Sequence, residues 1–294
     1  ALTNDTINYQ YACVFDDETA RALTRTLFAM EPDEEVTMCD LGDALSEIPN
    51  VAAGVWKAKR EVSSETYQLG LPLFLKSSSW IRFFPRGVNA LAQKLRGPRG
   101  INLQVILIWQ YGADAGGIRQ MTETKTTETV NAQMQFNPAQ VLTEAVGAVI
   151  ETCRVQMELE LCVKSNPSDP REANVEYGSS IALTAATGGG WQLAVMADKG
   201  SCEALTRSLF AMEPGEDPEM EDMADAIGEI VNVAGGVMKA SRAKAGQAVQ
   251  LGLPLFLEGT SCFEFFASGI QGMAQTVTGA DDLEAHVILI WQEG

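Results

Sequence analysis

The sequence has 294 residues, a length sufficient for two domains. Of these residues 46% are hydrophobic and 20% are charged, a composition typical of soluble globular proteins. The 39 acidic and 21 basic residues give a net charge of −18 at pH 7, which repels nucleic-acid phosphates and anionic lipid heads. No apolar run approaches the ~18 residues of a membrane span. From the negative charge and the absence of such a run, we expect neither a nucleic-acid nor a membrane partner. Six scattered cysteines without a CxxC pair favour reduced thiols in a cytoplasmic protein.

An internal repeat organises the chain. Residues 21–110 realign on residues 203–292 without a gap: RALTRTLFAMEP recurs as EALTRSLFAMEP, and DALSEIPNVAAGVWKAKR as DAIGEIVNVAGGVMKASR. A repeat of this length is a whole domain rather than a solenoid unit. The sequence therefore predicts two tandem copies of one unit.

The boundaries of the two copies follow from the alignment. The first copy, residues 1–110, starts inside a predicted strand and so lacks the opening helix and strand. We expect a truncated N-terminus, or another chain, to complete that sheet edge. Residues 111–135 are polar and predict a linker. The second copy, residues 136–294, opens with a helix over 136–157 that an Asn-Pro pair starts, and alternating strands follow. The predicted fold class is α+β, with a β-sheet packed by long helices in each copy.

One long helix in each copy has an apolar stripe at three- and four-residue steps, which predicts a core-facing surface. In the second copy the stripe comprises Met223, Ile227, Ile230, Ala234 and Val237. In the first copy it comprises Leu41, Leu45, Ile48, Ala52 and Val55. After the second stripe comes Gly235-Gly236, and because a glycine costs about 1 kcal/mol in a helix interior, we expect a close-packed neighbour there.

A polar set projects from a different face of the same helix. Asp225, Glu229 and Asn232 stand at i, i+4 and i+7, and are therefore on one side. The corresponding positions of the first copy are Asp43, Glu47 and Asn50. Such a pattern is also typical of an ordinary solvated helix face, and duplication explains part of the agreement. Neighbouring positions have nevertheless diverged, whereas the acidic and amide residues are the same in both copies.

At these residues the sequence resembles the CheC/CheX/FliY phosphatases of bacterial chemotaxis, and CheX most closely. The family pattern is Asp or Ser, three residues, Glu, two residues, Asn, and about twenty-two residues to a Pro. Here Asn50 leads to Pro72 and Asn232 to Pro254, each across 21 residues. A CheC-like unit would carry a second motif on its opening helix, but this chain has Glu144-Ala145-Val146-Gly147 there, so one site per unit is expected.

The resemblance implies a hydrolase that removes the aspartyl phosphate from a CheY-type receiver protein. The receiver holds the Mg²⁺, so no cofactor or metal ligand is expected from this chain. Asn50 and Asn232 would orient the attacking water, and Glu47 and Glu229 would pair with the receiver's lysine. Asp43, Asp225, Pro72 and Pro254 would complete the partner-binding surface.

Three further expectations complete the sequence-based hypothesis. Pro49, between Glu47 and Asn50, should kink or loosen its helix and make the first site the weaker one. The alternative function is a non-catalytic receiver-binding or flagellar-switch scaffold. The tandem copies are expected to form an intramolecular pseudo-dimer, or the chain a homodimer, and the single histidine, His286, is expected to be structural or exposed.

Overall fold

The computed structural model describes eleven stretches of the chain: residues 2–3, 7–61, 67–70, 74, 89–97, 100–111, 136–173, 175–185, 190–213, 215–258 and 269–292. The elements of the first copy are β1 (Leu2–Thr3), β2 (Ile7–Phe15), α1 (Asp17–Phe28), α2 (Met38–Glu61), β3 (Gln68–Leu69), β4 (Asn89–Arg96) and β5 (Asn102–Tyr111). Those of the second copy are α3 (Pro138–Met157), β6 (Cys162–Val163), a 3-10 turn (Pro170–Glu172), β7 (Tyr177–Ala185), β8 (Gly190–Ala197), α4 (Lys199–Phe210), α5 (Met220–Lys244), β9 (Val249–Leu251), β10 (Leu255–Glu258), β11 (Ile270–Thr278) and β12 (Glu284–Gln292). The α+β class is confirmed.

Both sheets are antiparallel, and their strand orders correspond. The first sheet has the order β3-β1-β2-β5-β4, and the second contains β7-β8-β12-β11 with β9 paired to β7. Tyr9 faces Trp109 across the first sheet, as Trp191 faces Trp291 across the second. The strand registers thus agree at the sequence offset that relates the copies.

In each copy, one aspartate caps the start of the first helix after the strand pair, α1 in the first copy and α4 in the second. The Asp16 carboxylate accepts a hydrogen bond of 2.7 Å from the backbone N–H of Thr19, and Asp198 accepts one of 2.7 Å from Ser201 at the start of α4. This bond holds the pKa of Asp16 below its usual range. The predicted helix over 136–157 is confirmed, with Asn137 as its N-cap and Pro138 in its first turn.

The main core of the second copy lies between its sheet and its three helices. Strand residues alternate between two faces, so Leu193 and Val195 enter the helix-covered core while Ala194 and Met196 pack on the other side of the sheet. Helix α3 packs on α5, β11 and β12. This arrangement makes α5 a rigid platform, because one side of it is fixed by buried contacts.

Strand β4 of the first copy differs from its counterpart β11. All eight residues of β4 are exposed, including Leu91 at 63% and Leu95 at 46%. At the position equivalent to Leu95, Val277 is fully buried within the core that α3 completes. The first copy therefore buries less apolar surface in the described residues than the second.

The cysteines that the structure describes, Cys13, Cys39, Cys153, Cys162 and Cys202, are free thiols. Burial raises the pKa of Cys153 and of Cys202 to about 12, so both stay protonated near neutral pH. Cys262 lies outside the described residues. No helix of the described stretches combines the length and apolarity needed to span a membrane.

His286 lies on β12 with 14% of its side chain exposed, and its Nδ1 is 3.2 Å from the Thr276 hydroxyl. Burial is the main cause that lowers its pKa from the ordinary value of 6.5, while the Glu284 carboxylate acts in the opposite direction. Because the folded pKa is the lower one, the unfolded chain binds the proton first as the pH falls. The contribution of His286 to stability is therefore complete above about pH 7 and decreases as the pH falls through 6.5 toward the folded pKa.

We expect the variant His286→Gln, which introduces the residue found at Gln104 of the first copy, to lose this part of the pH dependence. The measurement is urea unfolding of both proteins between pH 7.5 and 5.5. Since His286 is the single histidine of the sequence, parallel pH profiles of the two proteins would show that its burial does not influence stability.

Candidate functional site

Helix α5 carries the candidate site of the second copy, and its buried side fixes its position. Met223, Ile227, Ile230 and Ala234 are each at most 1% exposed, as the stripe predicts. Val237 is 41% exposed, so its assignment to the core is wrong; Met238, at 1%, continues the buried side instead. At about 100° per residue, Val237 and Met238 lie about equally far from the centre of the stripe, on opposite sides, so the elements packed beside the helix and not the spacing decide which of the two is buried.

The first-copy helix α2 shows the same deviation. Leu41 and Leu45 are buried at 2% and 4%, whereas Val55 is 53% exposed, so its assignment to the core is also wrong. Ile48 and Ala52 are half-buried. Among the residues that the structure describes, α2 is therefore less deeply buried than α5.

Glu229 and Asn232 lie one turn apart on the exposed side of α5. Neither side chain makes a hydrogen bond or an ion pair within the stretches that the structure describes. Asp225, one turn earlier, is half-buried and has an interaction partner of its own. The helix thus presents a carboxylate and a carboxamide to solvent, both available to a partner molecule.

Pro254 lies beside this helix, as the predicted partner-binding surface requires. A Cβ built on Gly228 would lie 3.8 Å from the Pro254 Cβ and 4.0 Å from the Ser179 Oγ. The Ser179 hydroxyl donates a hydrogen bond of 3.1 Å to the carbonyl of Leu255, which fixes the segment after the proline. The half-exposed proline therefore stands against the turn that precedes Glu229.

The first-copy site has the same layout where it is described. Glu47 and Asn50 are exposed on α2, with no hydrogen bond or ion pair in the described part of the chain, and Asp43 is half-buried with an interaction partner. Helix α2 continues through Pro49 from Met38 to Glu61, so the proline does not end it. Pro49 has no N–H for the Leu45 carbonyl, a local weakness absent from α5. Pro72 lies outside the described residues.

The two adjacent glycines of α5 have different surroundings. A Cβ on Gly235 would lie 3.3 Å from the Leu251 Cδ2 and 3.5 Å from the Ile181 Cγ2, so the expected close packing is present there. A Cβ on Gly236 would have no atom within 4 Å in the part of the chain that the structure describes. Only the first glycine is explained by the packing of the helix on its sheet.

Glu144 lies on α3 where a CheC-like unit would carry its second motif, and its side chain binds another helix of the same copy. The Glu144 carboxylate accepts hydrogen bonds of 3.0 Å and 2.6 Å from the guanidinium of Arg242, which is 8% exposed. That guanidinium also lies 5.5 Å from the centre of the Trp191 ring. Glu144 therefore ties α3 to α5, and sequence reasoning missed this link because the partners are 98 residues apart.

The described residues contain no group of three or more His, Cys, Asp and Glu side chains that could hold a metal ion. The arrangement is suited to hydrogen bonding and charge pairing with a partner.

One segment of the chain matches the model of a known protein family. Residues 181–277, which include α5 with Glu229, Asn232 and Pro254, match the family model of the chemotaxis phosphatase CheX. The chain is CheX-like over this segment. No curated protein matches the sequence.

Several solved structures resemble about half of this chain. CheX from Desulfovibrio desulfuricans is 16% identical, with a TM-score of 0.43, over 52% of this chain and 99% of its own. A CheC-like protein from Shewanella is 15% identical, with a TM-score of 0.46, over 54% and 100%. A CheX-CheY-BeF3-Mg complex from Borrelia burgdorferi is 12% identical, with a TM-score of 0.42, over 52% and 97%.

Proposed function

We propose that this CheX-like chain is a phosphatase for the aspartyl phosphate of a CheY-type receiver protein. The observation that carries the proposal is the exposed pair of Glu229 and Asn232, one turn apart and without partners in the described residues. This pair lies in the segment that matches the family model. The receiver would be a cytoplasmic signalling protein, which would place this chain in the cytoplasm.

Asn232 suits the orientation of a water molecule. A carboxamide both accepts and donates hydrogen bonds, so it can hold water in line with the phosphorus atom without acting as a base. Phosphoryl transfer depends chiefly on such positioning and on stabilisation of charge. The water oxygen forms the new bond to phosphorus, and the receiver's aspartate leaves as a carboxylate. Mg²⁺ bound by the receiver would neutralise the phosphoryl oxygens.

Glu229 would supply the docking contact. A carboxylate exposed on a rigid helix can form a charge-assisted hydrogen bond with a lysine beside the receiver's phosphoryl group. That contact would fix the register of α5 on the receiver, with Pro254 limiting the approach beside it. In the first copy, Glu47 and Asn50 would act in the same way, with Asp43 and Asp225 as outer contacts.

We also propose that the two copies pair within one chain. The side-chain amide of Gln10 on β2 donates a hydrogen bond of 2.5 Å to the carbonyl of Leu253, next to Pro254. If the two copies are related by a two-fold axis, Gln192, the counterpart of Gln10, would make the equivalent hydrogen bond to Leu71, the counterpart of Leu253. Leu71 lies outside the described residues. Such pairing would hold each site beside the other copy's sheet.

The test is the decay of a phosphorylated CheY-type receiver from the same organism, with and without this protein. We expect the decay rate to rise in proportion to the amount of added protein at low concentration. Binding of the receiver without faster decay would favour the scaffold function instead. Glu229→Gln together with Glu47→Gln should raise KM, because the docking charge is lost while both asparagines remain.

A further inference from the structure

Gly236 is a glycine that the fold of this chain does not explain. Its neighbour Gly235 faces the sheet, where a Cβ would lie 3.3 Å from the Leu251 Cδ2. At Gly236 the space within 4 Å of a Cβ contains no described atom. Any residue other than proline would be a better helix former at this position, so no contact within the described residues accounts for the glycine.

The open glycine lies on the face of the candidate site. It follows Asn232 by four residues and Glu229 by seven, and residues at these spacings share one side of a helix. Farther round the helix, the exposed side chain of Val237 adds an apolar neighbour. Along this side of α5, the carboxylate of Glu229, the carboxamide of Asn232 and the backbone at Gly236, which no side chain covers, therefore follow one another.

The first copy supports a role at this face. Gly54 follows Asn50 by four residues, and no atom of the described residues lies within 4 Å of a Cβ built there. At the packed position the two copies differ, with Ala53 where the second copy has Gly235. The glycine that packs on the sheet in the second copy is thus an alanine in the first copy. The glycine on the face of the candidate site is the same residue in both copies.

We propose that Gly54 and Gly236 are positioning residues that leave room for the receiver's backbone to approach the helix, an inference that rests on the proposed function. The occupant is the receiver, because the neighbouring carboxylate and carboxamide suit a lysine and a water-bearing phosphoryl group. A methyl group would stand about 1.5 Å off the helix backbone. A displacement of about 1 Å at a reacting centre can lower a rate about 100-fold.

The test compares the double variant Gly54→Ala/Gly236→Ala with Gly147→Ala. Gly147 lies on the exposed side of α3, and a Cβ there also meets nothing within 4 Å. Each alanine should raise the melting temperature of its own copy, because alanine is the better helix former. We expect kcat/KM for receiver dephosphorylation to fall at least about 10-fold in the double variant, through a lower kcat as well as a higher KM, and to stay unchanged in Gly147→Ala.

A second readout separates this inference from the proposed function. The affinity for a receiver loaded with BeF3⁻ and Mg²⁺ should fall in the double variant and stay unchanged in Gly147→Ala. Wild-type affinity and rate in the double variant would overturn the role of the glycines while leaving the phosphatase proposal intact. A wild-type protein that binds the receiver without accelerating decay would overturn the phosphatase proposal, with the glycines still tested by affinity. Absence of any binding would overturn both.

Discussion

Asn232→Ala is expected to lower receiver dephosphorylation at the second site about 100-fold, because removal of one preorganised hydrogen-bonding group at a reacting centre has an effect of this size. The side chain is exposed and makes no hydrogen bond or ion pair in the described residues, and alanine is the better helix former, so the substitution should not lower stability. The measurement is the decay rate at saturating receiver. Ser241→Ala, an exposed position on the same helix, is the control and should retain full activity.

Asn50→Ala is expected to have the smaller effect in the intact chain. Pro49 removes one helical hydrogen bond directly before Asn50, and the nearby Val51 and Val55 are 55% and 53% exposed, so α2 is less buried around Asn50 in the described part of the chain. The double variant Asn50→Ala/Asn232→Ala should reduce the rate to that of the receiver alone. Equal losses in the two single variants would contradict the asymmetry, and full activity in the double variant would eliminate the water-orienting role.

Glu144→Ala is expected to destabilise the second copy by about 3 kcal/mol, because it leaves the nearly buried guanidinium of Arg242 without its anionic partner. The carboxylate accepts two hydrogen bonds from that group, and among the described residues Gln247, at 3.0 Å, and the Trp191 ring remain as its partners. The measurement is the urea midpoint of unfolding at constant slope.

Glu151→Ala is a matched control on the same helix. Its ion pair with Arg154 is about half exposed on both sides, and such surface pairs contribute about 0–1 kcal/mol. The double variant Glu144→Ala/Arg242→Met should recover much of the lost stability, because it removes the unpaired buried charge. Equal shifts for Glu144→Ala and Glu151→Ala would show that burial does not strengthen the first pair.

Much of the fold could be predicted because local signals and the repeat agree. Asn137-Pro138 marks the start of α3, and the steps from Met223 to Ala234 mark the buried side of α5. The same spacing argument placed Val237 in the core, which is wrong. Periodicity gives the direction of a face but not its width, and the width depends on where the sheet ends beneath the helix.

The candidate site was predictable in its residues and less so in its surroundings. The positions of Glu229 and Asn232 on one helix face follow from their spacing alone. Contacts across long sequence separations do not: nothing local indicates that Glu144 is committed to Arg242, or that Pro254 stands against Gly228. The pair Gly235-Gly236 shows what the sequence does and does not indicate. The free-energy cost of glycine in a helix predicts a close-packed neighbour at this point. It does not show which of the two glycines has that neighbour.

The exposed leucines of β4 affect how the chain comes apart on heating. Hydrophobic burial provides most of the free energy that opposes the entropy of the unfolded state, and the first copy has less of it in the described residues. Its melting should therefore precede that of the second copy, so the chain loses cooperativity and has no single transition temperature. Between the two transitions, Glu47 and Asn50 would lie on a melted segment while Glu229 and Asn232 kept their rigid support.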